Sequence, residues 1–304
     1  MSFQLRWLGV SCFEIVTEQD YTIIVDPYLT ESVSFPHTAD FIKKCDAILL
    51  SHGHYDHVLD VGSLTHRLAP RKIICNRTTA KSLQRHQGID QSLLNVVELG
   101  DQIKTEMFTL DVIEGLHNNS KNEYRRIKGK PVPQKIIEQG NIETARFTFR
   151  GLSGTFWLPE KFEQWMTNYP AGEQLNFILT LNTGERIYIA GSYPDRSMIS
   201  VAEKQAPVDL MLLQVMSGFK IKGLERQTVL FAKAAGSRVV IPHHHDELMK
   251  GATPTDLTKL KNLFAAENIP FSELVIGEWY EFSSATLQKS SQFRQEEETR
   301  QTND

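Results

Sequence analysis

The sequence predicts an α/β protein in which two half-sheets pack face to face and helices cover their outer faces. Two observations lead to this fold class. Apolar runs of strand length fall into two comparable batches, and helical patterns are interspersed in each. The segment 118–172, which breaks the pattern of strands and helices, separates the two batches. At 304 residues with 40% hydrophobic content, the chain can also bury a substantial core.

The first batch opens with three strand-like segments, FQLRWLG, CFEIVT and YTIIVDP, which predict an antiparallel start to a sheet. DAILLS and KIICN are further apolar runs of strand length, and helices are predicted at 60–68 and 77–87. MFTLDVIEGLH alternates like another strand and ends at His117.

The second batch opens with NFILTLN and RIYIAGS around a Thr183-Gly184 turn, which predicts a hairpin. VDLMLLQV, SRVVIPHHH and ELVIGEWYEF read as strands, and ERQTVLFAKAAG reads as an amphipathic helix closed by Gly236. The chain is polar from residue 284 onward. We therefore expect residues 1–283 to form a single domain with an insert at 118–172, and residues 284–304 to be a disordered tail.

Composition excludes several classes of protein. A formal net charge of −4 disfavours a general nucleic-acid binder, which would be basic. Three cysteines without a CxxC spacing fit a reducing compartment, and no apolar run reaches the roughly 20 residues of a membrane span. The expectation is a cytoplasmic, soluble protein.

The segment AILLSHGHYDH crowds three histidines and an aspartate behind a buried strand. On an extended backbone His52 and His54 point the same way, so both can contact one ion. If a helix begins near residue 56, Asp56 and His57 turn toward a nearby point. Imidazole and carboxylate suit zinc, iron or manganese, and the crowding disfavours the alternative of ordinary hydrogen-bonded core histidines.

These residues resemble the signature of a known family. SHGHYDH at residues 51–57 is similar to the motif of the metallo-β-lactamase superfamily, and RWLGVSCFEI, IIVDPYL, IAGS and IPHHHDEL agree with it. The combination is most similar to the branch of ascorbate-6-phosphate lactonases and N-acyl-phosphatidylethanolamine phospholipase D, although Val10 stands where that branch often has histidine. The resemblance implies an αβ/βα four-layer sandwich: two mixed β-sheets, flanked by helices, with metals at the sheet edges.

The resemblance also implies a ligand set and a cofactor, which is Zn²⁺ in one or two ions, with Mn²⁺ or Fe²⁺ as alternatives. His244 follows Pro242 by two positions, as in the P-x-H of this branch. Its neighbours His243 and His245 support the ligands, face the substrate or are merely exposed. The implied ligands are His52, His54 and His117 for a first metal, and Asp56, His57 and His244 for a second.

One position departs from the family pattern. Ser192 stands where the family usually has an aspartate that bridges the two ions, and a neutral hydroxyl is a poorer ligand than a carboxylate. Three outcomes remain open: one tight and one loose metal, Asp195 reaching in from the loop, or loss of catalysis. We expect the first.

The implied chemistry is hydrolysis of a lactone, amide or phosphoester by a metal-bound hydroxide. Asp56 is the expected catalytic residue, since it could bind metal and also orient the nucleophile or accept its proton. Two alternatives are an RNA or DNA phosphodiesterase of the same superfamily, and a non-catalytic metal-binding or sensing protein.

Substrate choice is expected to come from the insert. Six basic residues lie between 121 and 135, among them Arg125 and Arg126, and form either an anion clamp or a solvated loop face. Aromatic residues at 156–169 form either an apolar lid or a cover over the core. We expect a small or lipid-like substrate, plausibly anionic. No dedicated nucleic-acid module is recognised, and the resemblance makes a homo-oligomer plausible.

Overall fold

The computed structural model describes residues 2–116, 167–191, 194, 196–215, 223–248 and 254–290. Within these ranges the strands of the first sheet are β1 (Ser2–Trp7), β2 (Phe13–Val16), β3 (Thr22–Val25), β4 (Ala47–Leu49), β5 (Lys72–Cys75), β6 (Leu94–Val96), β13 (Trp279–Ser283) and β14 (Thr286–Lys289). Their order in the sheet is β14-β13-β1-β2-β3-β4-β5-β6. The strands from β14 to β3 pair antiparallel, and β3 to β6 pair parallel.

In the described residues the strands of the second sheet are β7 (Gln102–Lys104), β8 (Phe108–Glu114), β9 (Leu175–Leu181), β10 (Arg186–Ala190), β11 (Leu210–Gln214) and β12 (Val239–His243). Their order in the sheet is β12-β11-β10-β9-β8-β7. The predicted hairpin around Gly184 is confirmed, because β9 and β10 pair antiparallel across that turn. Strands β10, β11 and β12 then run parallel.

Helices follow the parallel strands and cover the outer face of each sheet. The helices predicted at 60–68 and 77–87 are confirmed, and the second is capped by Asn76, whose side chain accepts a hydrogen bond from Thr79 N. Within the described residues the helices are α1 (Tyr55–Val58), α2 (Val61–Leu68), α3 (Arg77–Gln87), α4 (Ile199–Glu203), α5 (Leu224–Ala234) and α6 (Thr258–Ala266).

The layers follow from which way successive strand residues point. In β11, Leu210 and Leu212 belong to the core between the two sheets, whereas Met211 and Leu213 pack with the helices outside. Strands covered on both faces need apolar residues at every position, which explains the unbroken run LMLL. The predicted four-layer α/β sandwich with two mixed sheets is confirmed.

The predicted tail boundary at residue 284 is wrong. Ser284 and Ala285 take left-handed backbone conformations (φ 51° and 59°) and turn the chain into β14, which pairs antiparallel with β13. Leu287 packs against the core between the sheets. Polar residues on an exposed edge strand carry almost no hydrophobic pattern, so this strand reads as tail. Residues 291–304 lie outside the described residues.

The carboxyl ends of the parallel strands meet at one edge of the sandwich. Asp26 follows β3, His52 follows β4 by three residues, and His243 is the last residue of β12. Leu175 N donates to Ser51 O at 2.9 Å, which joins the start of β9 to the end of β4 and so connects the two sheets there. Ligand sites in α/β proteins lie at such edges.

Candidate metal centre

The histidine-rich loop turns from strand to helix within a few residues. His54 is extended (φ −63°, ψ 149°) and precedes α1, which carries Asp56 and His57 on its first turn. The ring centroids of His52 and His57 are 4.0 Å apart, and those of His52 and His54 are 4.8 Å apart. His52, Asp56 and His57 are buried, whereas His54 is partly exposed.

The second sheet contributes His244 from the turn after β12. Its Nε2 lies 3.3 Å from Asp56 Oδ2, and His57 Nε2 lies 3.8 Å from the same oxygen. One ligand atom from each of the three residues lies within 4.8 Å of the others. The structure thus brings together, from two sheets, the three residues implied for the second metal.

Asp26 forms hydrogen bonds with the part of this cluster that lies in the loop 51–57. Its Oδ1 accepts a hydrogen bond from Ser51 N at 2.7 Å, and its Oδ2 accepts one from Ser51 Oγ at 2.6 Å. The same Oδ2 lies 2.8 Å from His57 Nδ1. A carboxylate on Nδ1 orients the imidazole so that Nε2 faces outward, the usual arrangement behind a metal-binding histidine.

Ser51 extends this support to His52. Its Oγ donates to Asp26 and lies 3.0 Å from His52 Nδ1, so it accepts from that nitrogen. His52 therefore holds its proton on Nδ1, and Nε2 is the nitrogen suited to a metal. Neither Ser51 nor Asp26 is among the site residues predicted from the sequence. The sequence feature that could have indicated a role for Asp26 is its position directly after the fully buried strand TIIV.

Burial and charge set the protonation of the cluster. Burial lowers the pKa of His54 to about 4, so this ring is neutral at physiological pH. Burial opposes ionisation of Asp56, yet His57 and His244 hold the pKa of its carboxyl well below the usual range. Burial also opposes the charged form of His57, but Asp26 and Asp56 raise its pKa. The raised pKa favours the protonated His57 ring, so binding of a cation at His57 would release a proton.

The donor set fits a divalent metal ion. Two imidazole Nε2 atoms and a carboxylate oxygen converge in a buried position. Mixed nitrogen and oxygen ligands match zinc, manganese or iron better than calcium or magnesium, which prefer oxygen alone.

Two glycines allow the chain to close around the loop. A Cβ on Gly53, between His52 and His54, would lie 2.3 Å from Pro170 O. A Cβ on Gly191, after β10, would lie 2.0 Å from Ser51 Cβ. Both positions exclude any side chain because neighbouring segments pack directly against the ligand loop.

The other sequence-predicted residues lie around the cluster or outside the described residues. His243 is buried on the inner face of its sheet, edge-on to Phe13 at 5.4 Å, and burial lowers its pKa well below the usual value. His245 is partly exposed and stacks on Trp7. Tyr169 is buried in the helix-side core, as a core cover and not as a lid. Outside the described residues lie His117, Arg125, Arg126, Ser192 and Asp195.

Comparison with known proteins agrees with this fold. A model of the metallo-beta-lactamase superfamily matches residues 5–134. Igni18, a metallo hydrolase of the archaeon Ignicoccus hospitalis, has a similar structure, with a TM-score of 0.65 at 15% identity over 93% of this chain and 99% of that one. The chain has the metallo-β-lactamase fold. The matched residues include Asp26 and the SHGHYDH loop, whereas His244 lies beyond them and its place is known from the structure alone.

Two named relatives are similar to this chain in sequence. A UPF0173 metal-dependent hydrolase of Methanobrevibacter smithii is 24% identical over 246 residues, which are 80% of this chain and 82% of that protein. A UPF0173 metal-dependent hydrolase of Koribacter versatilis is 30% identical over 96 residues, or 32% of this chain, and the match spans 39% of that protein's length. These relatives are named as metal-dependent hydrolases, and their names state no substrate.

Among the described residues, no helix is both long enough and apolar enough to cross a membrane.

Proposed function

We propose that this protein is a metal-dependent hydrolase whose centre lies where the two sheets of the metallo-β-lactamase fold meet. The observation that carries the proposal is the convergence of Asp56, His57 and His244, which come from opposite sheets and place their ligand atoms within 4.8 Å of one another. The names of the relatives support the same reaction class.

The residues would act in distinct ways. Asp56, His57 and His244 would hold one ion, zinc by preference, and His52, His54 and His117 would hold a second. When bound, a divalent ion supplies Lewis-acid chemistry, since it acidifies water and polarises an electrophilic oxygen. Asp56 is ionised, so it would serve as an anionic ligand and would also orient the attacking group. Asp26 keeps the His57 ring in place throughout.

The substrate is proposed to be a lactone, amide or phosphoester of a small or lipid-like molecule. The resemblance to the branch of ascorbate-6-phosphate lactonases and N-acyl-phosphatidylethanolamine phospholipase D supports this choice. Arg125 and Arg126 would favour an anionic group on the substrate. Ser192 in place of the bridging aspartate supports unequal affinities for the two ions.

A reconstitution assay tests the proposal. Metal-free protein would be loaded with zinc, manganese or iron and given chromogenic lactones, amides, phosphomonoesters and phosphodiesters. We expect metal-dependent hydrolysis of at least one class, removed by a chelator, restored by the ion, and lost in Asp56→Asn but not in the exposed control Asp40→Asn. Metal-loaded protein that hydrolyses none of them would contradict the proposal and favour a binding or sensing role. Salt-dependent binding and cleavage of RNA would favour the nuclease alternative.

A further inference from the structure

The loop that carries His244 is docked on the turn after β1 by hydrogen bonds in both directions. His244 N donates to Val10 O at 2.8 Å. Val10 N donates to Asp246 Oδ2 at 2.9 Å, across a sequence separation of 236 residues. Val10 is therefore hydrogen-bonded to the loop at two points: its N–H donates to Asp246, and its carbonyl accepts from His244.

Both linked residues have unfavourable backbone conformations. Val10 has φ 48° and His244 has φ 60°, in the left-handed region that side chains other than glycine rarely occupy. For a β-branched residue such as valine this conformation is a clear outlier. Val10 is fully buried and His244 is 2% exposed, so packing and hydrogen bonds must hold the conformations in place.

Trp7 adds a third contact to the same link. Its indole Nε1 donates to Val10 O at 3.0 Å, so this carbonyl accepts from both Trp7 and His244. The Trp7 ring also stacks on His245, with centroids 4.8 Å apart and planes at 24°. Three consecutive residues, 244–246, therefore contact the turn formed by residues 7–10.

Asp246 is poorly explained as a contribution to stability alone. The residue is 7% exposed, and its Oδ1 has no hydrogen-bond partner among the described residues. A buried carboxylate with one unsatisfied oxygen costs free energy that an apolar side chain of similar size would not. Space for it exists because Gly9 has no side chain, since a Cβ there would lie 3.3 Å from Asp246 Oδ2.

We propose that Asp246 is a positioning residue for the metal ligand His244. It holds Val10 in the left-handed conformation that presents the Val10 carbonyl to the His244 N–H, and this fixes His244 Nε2 beside Asp56. The inference rests on the proposed metal centre, but it concerns metal binding and not the reaction. It also assigns a backbone role to Val10, at the position where the similar branch often has histidine.

Metal affinity tests the inference directly. Zinc alone would be titrated into metal-free protein against a chromophoric chelator, and the visible spectrum of the cobalt-loaded protein would report ligand geometry. Asp246→Ala removes the acceptor for Val10 N, and we expect zinc affinity to fall roughly 10-fold or more with a changed cobalt spectrum. Asp246→Asn keeps an oxygen at the same place, and we expect its affinity to stay close to wild type.

A matched control separates positioning from general stability. Asp209 Oδ2 likewise accepts a backbone hydrogen bond, from Arg186 N at 2.9 Å, at the other end of the second sheet. Asp209→Ala should lower stability and leave zinc affinity unchanged. If Asp246→Ala does not fold, Asp246→Glu, which displaces the oxygens by one methylene, takes its place and should weaken zinc binding relative to Asp246→Asn.

Each outcome is decisive. A folded Asp246→Ala or Asp246→Glu protein with wild-type zinc affinity and cobalt spectrum would overturn the positioning role, as would an equal loss of affinity in Asp209→Ala. Wild-type protein that binds no zinc at all would overturn the metal centre itself, and the proposed function with it.

Discussion

The two halves of the candidate metal centre are built by different means. The first half, residues 51–57, lies in one short loop, and Asp26 receives hydrogen bonds from Ser51 and His57 beneath it. The second half is His244, whose Nδ1 has no hydrogen-bond partner among the described residues. Its position depends on backbone contacts with Val10. A local motif can thus carry its own side-chain scaffold, whereas a single remote ligand depends on tertiary docking.

Backbone strain appears in both halves. Asp26, Val10 and His244 have φ of 44°, 48° and 60°, and all three contact the cluster or its supporting residues. Strained residues of this kind persist where surrounding structure over-determines them, and they concentrate at functional sites. We therefore expect loss of side-chain hydrogen bonds to disrupt the first half, and loss of the backbone contacts with Val10 to disrupt the second half.

The largest effect is expected from removal of the carboxylate under the first half. Asp26→Ala leaves Ser51 N, Ser51 Oγ and His57 Nδ1 without their acceptor in a buried site. Since each such buried loss costs about 1–3 kcal/mol, we expect the free energy of unfolding to fall by about 3 kcal/mol or more. Urea denaturation measures this. Asp26→Asn, which keeps two polar atoms, should lose less, and equal losses in the two variants would show that the hydrogen bonds are not the cause.

Steric closure between the two sheets should have a smaller effect. Gly191→Ala places a Cβ 2.0 Å from Ser51 Cβ, so the strand end or the ligand loop must move. We expect the free energy of unfolding, measured by thermal denaturation, to fall by about 1–3 kcal/mol, and zinc to bind more weakly. Gly184→Ala, in a hairpin turn with open space around it, should also cost about 1–3 kcal/mol, because φ is 103° there, but it should leave zinc binding intact. Equal zinc affinity in Gly191→Ala and Gly184→Ala would show that the close packing of Gly191 on Ser51 does not support the metal centre.

The part of this architecture that depends on local pattern was predictable from sequence. Helices α2 and α3 and the β9–β10 hairpin are confirmed within a residue or two, because hydrophobic periodicity and turn residues act over short distances. The crowding of His52, His54, Asp56 and His57 likewise marks the first half directly.

The supporting contacts could not be predicted from sequence. Asp246 meets Val10 across 236 positions, and nothing in the local sequence of either residue indicates the other. Asp26 meets His57 across 31 positions in the same way. Strand β14 escaped prediction because three of its four residues are exposed and polar.

The reactivity of the cysteines tests whether the region around the first half is as closely packed as the structure shows. Cys12, Cys45 and Cys75 are all buried, and burial raises the pKa of Cys75 to about 12. The buried Cys75 thiol therefore stays protonated in the folded protein and contributes to its stability. This contribution is fully present below the unfolded pKa near 9 and is lost as pH rises toward the folded pKa of about 12.

At pH 8 we expect slow labelling of all three thiols by a disulfide reagent in native protein and complete labelling in denaturant. Burial is the main cause that raises the pKa of the Cys12 thiol, and the charge of Asp26 is a smaller one. Asp26→Ala should therefore speed labelling of Cys12 modestly, whereas Asp246→Asn should not. Rapid labelling of wild-type protein at pH 8 would contradict the burial of this region.

The amount of bound metal shows whether both sheets contribute ligands to one centre. Purified protein, reconstituted with zinc and dialysed, would be measured by elemental analysis beside His244→Asn, since asparagine tolerates the left-handed backbone and lacks the imidazole. The exposed His66→Ala serves as control. We predict at least one tightly held ion per chain in wild type and control, and a loss in His244→Asn. No bound zinc in wild type, or full retention in His244→Asn, would contradict a centre shared between the two sheets.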